Sequence, residues 1–210
     1  MKEVVKLMDY RPDIKIVDAT LRDGGLVNNF RFTDEFVKDL YQTNIKAGVD
    51  VMEFGYKADK EMFDVKDFGK WKFCHEDAIR KVLGDILDPK MQLAVMADVG
   101  RANVARDLPD KKDSILDVVR IATYINTIPA AIEMIETCAK KGYHTTVNIM
   151  AVSKAQESEL EEALEMLGKS SVEVIYLVDS YGSLYPLQMR QLAQRYLEAV
   201  SYTHLTLPTT

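Results

Sequence analysis

The sequence is poor in the residues that build covalent or metal frameworks. Cys74 and Cys138 are too few and too scattered for a disulfide framework or a zinc site, so both read as buried or free thiols. Of the histidines, His75, His144 and His204 show no i, i+2 spacing with one another; His75 and His144 read as surface or capping residues rather than ligands, and His204 falls in the final stretch of the chain. No apolar run approaches the roughly 18 residues needed to span a bilayer, and residues 1–13 are too charged for a secretory signal, which points to the cytosol and away from membranes. Basic residues are in deficit as well: a net charge of -6 argues against nucleic acid as a partner. No linker or composition shift divides the chain, and 47% hydrophobic residues suffice for one soluble domain with a sizeable core.

Against that background one stretch stands out, residues 16–29, IVDATLRDGGLVNN. Ile14, Ile16 and Val17 suit a buried parallel strand. Asp18, Arg22 and Asp23 follow where it should emerge, with Gly24 and Gly25 expected to let the backbone turn and approach a ligand. A carboxylate beside a fixed cation at a strand's C-terminal end can hold a divalent metal and stabilise a developing oxyanion. An ion pair of Asp18 and Arg22 that merely closes the loop fits the spacing equally well.

Downstream, Thr33 followed by Asp34 and Glu35 reads as an N-cap with acids in the first turn, and the stripe Phe36, Val37, Leu40, Tyr41, Ile45 ends at Gly48. A strand over 49–54 completes a βαβ unit. Further strands are expected near 92–97, 118–122, 145–150 and 172–178, alternating with helices near 76–87, 129–141 and 157–167, and only a short helix within 101–114. Such alternation suits either a doubly wound sheet or a (β/α)8 barrel, and the first loop lacks the G-x-G-x-x-G pattern of the former. In a barrel, chemistry gathers at the C-terminal strand ends, and Asp23, Glu53, Asp98, Asn148 and Asp179 all fall at or near such ends. The long connection 56–74 carries five aromatics and suits either a lid or a solvated excursion pinned by aromatic anchors.

DATLRDGG resembles the D-x-T-L-R-D-G signature of the metal-dependent barrel lyases and synthases. That group includes hydroxymethylglutaryl-CoA lyase, isopropylmalate and homocitrate synthases, and 4-hydroxy-2-oxovalerate aldolase. VIYLVDSYGSLYP, residues 174–186, resembles the D-[ST]-x-G-x-x-x-P stretch of the same group. The resemblance implies an α/β (β/α)8 TIM barrel, here truncated to about six βα units. It implies a divalent-metal-dependent, aldolase-type carbon–carbon lyase acting on a hydroxylated 2-oxo acid through an enolate. The metal would be Mn2+ or Mg2+, with Zn2+ also open. By matching position, Asp23 corresponds to the metal-ligating aspartate, Arg22 to the arginine that stabilises the enolate oxygen, and Glu53 to an acidic residue at the end of strand two. Pairing of Glu53 with a neighbouring Arg or Lys is the alternative. Tyr181 is a candidate proton donor, and Asn28, Asn148 and Ser180 are candidate substrate contacts. Asp18 is expected to orient the loop. A homo-oligomer or a partner dehydrogenase is a further implication for a full-length protein.

Several departures qualify the match. The family's His-x-His pair has no counterpart in the sequence. Leu26 stands where bacterial 4-hydroxy-2-oxovalerate aldolases place a catalytic histidine, and Gly25 and Leu26 replace the D-G-x-Q continuation of acyl-CoA-using members. An acyl-CoA-dependent condensing enzyme, or a non-catalytic barrel binding a small acid or a partner, are therefore the alternatives. The chain as written is expected to be a poor enzyme, with open sheet edges at strands one and six. Residues 201–210, SYTHLTLPTT, resemble a translated sequencing adapter and continue neither helix nor strand logic. The expected division is a partial barrel over 1–200 and a non-native tail over 201–210.

Overall fold

The computed structural model describes residues 14–199 and the backbone of 204–206. The chain runs β1 (Val17–Asp18), α1 (Thr20–Asn28), α2 (Asp34–Ala47), β2 (Val51–Tyr56), α3 (Glu76–Leu83) and β3 (Gln92–Asp98). It continues through α4 (Val104–Asp107), β4 (Val118–Tyr124), α5 (Ile128–Lys140), β5 (His144–Met150), α6 (Glu157–Gly168), β6 (Val174–Leu177), α7 (Pro186–Ala199) and β7 (His204–Thr206). All neighbouring strands pair in parallel, and their order in the sheet is their order in the chain. A doubly wound sheet reverses direction at a switch point. This one never does, and it curls into part of a (β/α)8 barrel as expected.

Alternation of side chains along each strand divides the two faces of the sheet. Met52, Phe54, Leu93, Val95, Val119, Ile121, Val147, Ile149, Ile175 and Leu177 join the main core with helix residues such as Val37, Ile79, Ile135 and Leu164. The concave face begins with a small apolar layer of Val17, Val51, Ala94 and Val118. Above it the residues turn polar. Capping follows the sequence: Thr33 Oγ1 accepts from Phe36 N at 3.2 Å, and Gly48 ends α2 in the left-handed region. No helix among the described residues is long and apolar enough to cross a membrane.

Three expectations are corrected. Gly24 and Gly25 do not form a turn but lie inside α1, which begins two residues after β1. Gly25 is required for packing instead, because the buried Phe30 ring stands 2.2 Å from where its Cβ would be. His204–Thr206 pairs with β6, so β6 is not an open edge and the tail is not free of strand structure; among the described residues the sheet's edge strands are β1 and β7. Of the two readings of residues 56–74, the segment is not a loose lid but is pinned by its aromatics and stitched down, with Gly69 N donating to Asn29 O, Trp71 Nε1 to Phe32 O and Lys57 Nζ to Cys74 O.

A bulge in β2 sets the site. Glu53 pairs with Ala94 and Tyr56 with Met96, so one extra residue in β2 brings both Glu53 and Tyr56 to the concave face. Gly55 occupies the bulge at φ 153°, where a Cβ would meet the Trp71 carbonyl oxygen at 1.9 Å. Substituting Gly55→Ala is expected to lower stability by about 3 kcal/mol, seen as a lower urea midpoint at unchanged slope.

Candidate active site

The centre of the concave face is a carboxylate held by two guanidinium groups. Glu53 is fully buried, and its Oε2 accepts from Arg22 Nε at 2.9 Å and from Arg120 Nη1 at 2.6 Å. Arg120 reaches Glu53 from two strands away and stacks on the Tyr176 ring, 4.6 Å from its centroid. Arg22 Nη1 donates to Asp23 Oδ1 at 2.8 Å. The guanidinium is thus fixed on two edges, with the Tyr56 hydroxyl beside it. Charge-assisted bonds of this kind are short and orienting. Burial opposes the Arg22 charge, yet Glu53, Tyr56 and Asp23 outweigh it and raise its pKa, so Arg22 is a permanent cation.

Around this pair stand Tyr56 and Asp98. Burial pushes the Tyr56 phenol up, Asp98 adds to the rise and Arg22 opposes it, which keeps the hydroxyl protonated. Burial likewise raises Asp98, against Lys72, Arg101 and Arg22. Several polar atoms of this face have no partner among the described residues: Glu53 Oε1, Arg120 Nε, Thr146 Oγ1 and Asn148 Oδ1. Buried polar atoms are normally satisfied, so four of them on neighbouring strands mark a face built for a polar occupant. A surface hollow of about 550 Å³ between α2 and residues 85–90 lies outside the barrel and contains none of these groups.

The candidate residues separate accordingly. Arg22, Asp23 and Glu53 are brought together, with Glu53 pairing in the manner of its alternative reading. Asn148 is buried two strands beyond β3 on the same sheet. The others are not assembled with them. Asn28 is exposed and donates to Arg31 O at 3.4 Å. Ser180 Oγ accepts from Ala151 N at 2.8 Å, joining the loops after β5 and β6. Tyr181 is 56% exposed under the Lys154 ammonium, whose cation–π contact holds it on the surface. Asp18 does not pair with Arg22: it accepts from Thr20 Oγ1 and Asn44 Nδ2, tying the first loop to α2. His144 pairs with Glu173 on the surface and His75 caps α3 without a side-chain bond. Arg120, Tyr56 and Lys72 were missed, although a lone arginine inside the apolar run VVRIAT is a visible signal.

No group of three His, Cys, Asp or Glu that could hold a metal ion occurs among the described residues. Asp23 offers one exposed carboxylate, and Glu53 is committed to its arginines. The donors present do not complete a divalent-ion site.

No protein-family profile matches the sequence. The chain is similar to 4-hydroxy-2-oxovalerate aldolases and to an oxaloacetate decarboxylase. It is 26% identical to 4-hydroxy-2-oxovalerate aldolase 6 of Rhodococcus jostii, over 84% of this chain and 49% of that protein. It is 21% identical to an oxaloacetate decarboxylase of Mycobacterium tuberculosis, over 88% of this chain and 52% of that protein. The chain spans about half the length of the curated relatives it matches. Among solved structures, an aldolase N-terminal domain from Bacteroides vulgatus superimposes with a TM-score of 0.70 at 22% identity, covering 92% of this chain and 62% of that one. The carboxyl transferase domain of Rhizobium etli pyruvate carboxylase gives a TM-score of 0.68 at 16% identity, covering 92% and 35%. These likenesses agree with the group read from DATLRDGG and with the partial barrel.

Arg120→Met leaves the buried Glu53 carboxylate with Arg22 as its one remaining cation, so it is expected to cost about 3 kcal/mol by chemical denaturation, and Arg120→Met with Glu53→Leu less than Arg120→Met alone. Because burial raises the Asp98 carboxyl, this group binds its proton more tightly in the folded chain than in the unfolded one, and its own contribution to stability falls as pH climbs through the acid range. Asp98→Asn should therefore match wild type at strongly acid pH and gain on it toward neutrality, in paired thermal melts across pH.

Proposed function

We propose that this chain carries the enolate-stabilising part of an aldolase-type carbon–carbon lyase acting on a hydroxylated 2-oxo acid. The observation that carries the reading is the fixed Arg22 guanidinium, clamped by Glu53 and Asp23 at the mouth of the strands beside the Tyr56 hydroxyl. Cleavage of such an acid leaves its electron pair on the former carbonyl oxygen as an enolate. A planar, permanently charged donor aimed at that oxygen lowers the barrier most where little reorganisation is needed. Glu53, backed by Arg120, supplies the preorganisation, while the protonated Tyr56 hydroxyl beside Arg22 is the available proton donor. The similarity to 4-hydroxy-2-oxovalerate aldolases supports this substrate class, and the Asp23 carboxylate is the ligand this chain would contribute to a divalent metal, Mn2+ or Mg2+ first.

Enolisation is a smaller demand than full cleavage, and pyruvate methyl exchange in D2O, followed by NMR with and without added Mn2+, reads it directly. Slow exchange is expected from the 210-residue chain. Arg22→Met should reduce the rate by roughly 10² to 10³-fold, the scale of losing one preorganised oxyanion donor. Exchange that is absent, or indifferent to Arg22, would sink the reading.

A further inference from the structure

Lys72 lies in the stitched segment after β2 and is not used by the chemistry above. It is only 8% exposed. Its ammonium sits among four aromatic rings, 4.4 Å from the centroid of Tyr56, 4.5 Å from Phe63, 5.0 Å from Phe30 and 5.6 Å from Phe68. Ring faces attract the cation but cannot satisfy three N–H donors in the way an oxygen does. The neighbouring Lys70 bonds Asp34, whereas Lys72 Nζ has no carboxylate partner and no hydrogen-bond acceptor among the described residues. A desolvated cation with unspent donors is a costly thing to bury without a counter-ion.

Its position supplies a use. Tyr56 forms one wall of the cage and also stands beside Arg22, and Asp98 at the end of β3 lies within electrostatic reach of both Lys72 and Arg22. Two cations therefore flank the same Tyr56–Asp98 wall. The segment is held rigidly: Ala58 N donates to the Lys72 carbonyl, Lys57 Nζ to the Cys74 carbonyl, and Gly69 packs directly on the Phe30 backbone.

We infer that the caged Lys72 ammonium binds a second, distal carboxylate of the substrate, so that the site selects a dicarboxylic 2-oxo acid over its monocarboxylic counterpart. This rests on Arg22 holding the 2-oxo end. The aromatic walls would exclude water from the ion pair and strengthen it, while the methylene stem of Lys72 stays packed.

Titration calorimetry of the whole chain with matched pairs tests this: oxaloacetate against 2-oxobutanoate, and 2-oxoglutarate against 2-oxopentanoate, with fluorescence of the single tryptophan, Trp71, as a second readout. For at least one pair the dicarboxylate should bind about 10-fold more tightly, the worth of one charge-assisted contact. Lys72→Met should remove that preference and leave the monocarboxylate Kd within about twofold. Arg22→Met should weaken both members of a pair together. Equal binding of both members by the wild-type chain overturns the inference without recourse to any variant, as does a preference that survives Lys72→Met. A dicarboxylate preference lost in Lys72→Met but indifferent to Arg22→Met would instead overturn the Arg22 reading and leave the Lys72 site standing.

Discussion

The Glu53 carboxylate, buried and shared between Arg22 and Arg120, is the constraint on which the concave face depends. Removing a carboxylate from water costs several kcal/mol, and two guanidinium groups offset that cost only if both are held in place. Holding them requires the parallel sheet: Glu53 comes from β2, Arg120 from β4 and Arg22 from the first helix after β1. The same requirement explains the bulge at Gly55, which keeps both Glu53 and Tyr56 on one face although they are three positions apart. The site and the sheet therefore stand or fall together.

The face is graded from bottom to top. Val17, Val51, Ala94 and Val118 seal it with apolar side chains, and the charged layer of Glu53 and Arg120 lies above them. Arg22, Tyr56, Asp98 and Lys72 then form a mouth in which each charge feels the next. A low dielectric below and a charged rim above make a setting where an anionic intermediate gains most from fixed donors. Acid and base groups are also pushed toward their neutral forms here: burial raises Asp98 and Tyr56 and lowers Lys72. Several perturbed groups sharing one mouth are what a binding face looks like.

The segment after β2 contributes as much as the strands. Its aromatics do not wave over the mouth as a lid. Phe63 and Phe68 pack edge to face, Phe30 meets Tyr56 in the same way, and Trp71 is fully buried against Phe54. Backbone is left-handed at Phe30, whose ring is one wall of the Lys72 cage, and at Cys74, with φ of 62° and 40°. Such conformations are unfavourable for bulky side chains and persist only where packing over-determines them.

Much of the fold was legible in the chain before any coordinates. Alternating strand and helix patterns, the Thr33 cap and the Gly48 stop depend on local spacing, and local spacing is what a sequence records directly. That Asp23 and Arg22 share one neighbourhood was equally readable, because they are adjacent in the chain, but the Asp18–Arg22 pair that the spacing also allowed does not form. What sequence could not supply were contacts between residues 31 and 67 positions apart, those of Glu53 with Arg22 and Arg120. Nor could it show that Gly24 and Gly25 sit in a helix, that Tyr181 and Ser180 are drawn to the surface, or that four scattered rings enclose Lys72. Periodicity and motif determined the barrel's elements and its first loop; the curl of the sheet alone decided which charges meet, because only folding converts separation along the chain into contact across it.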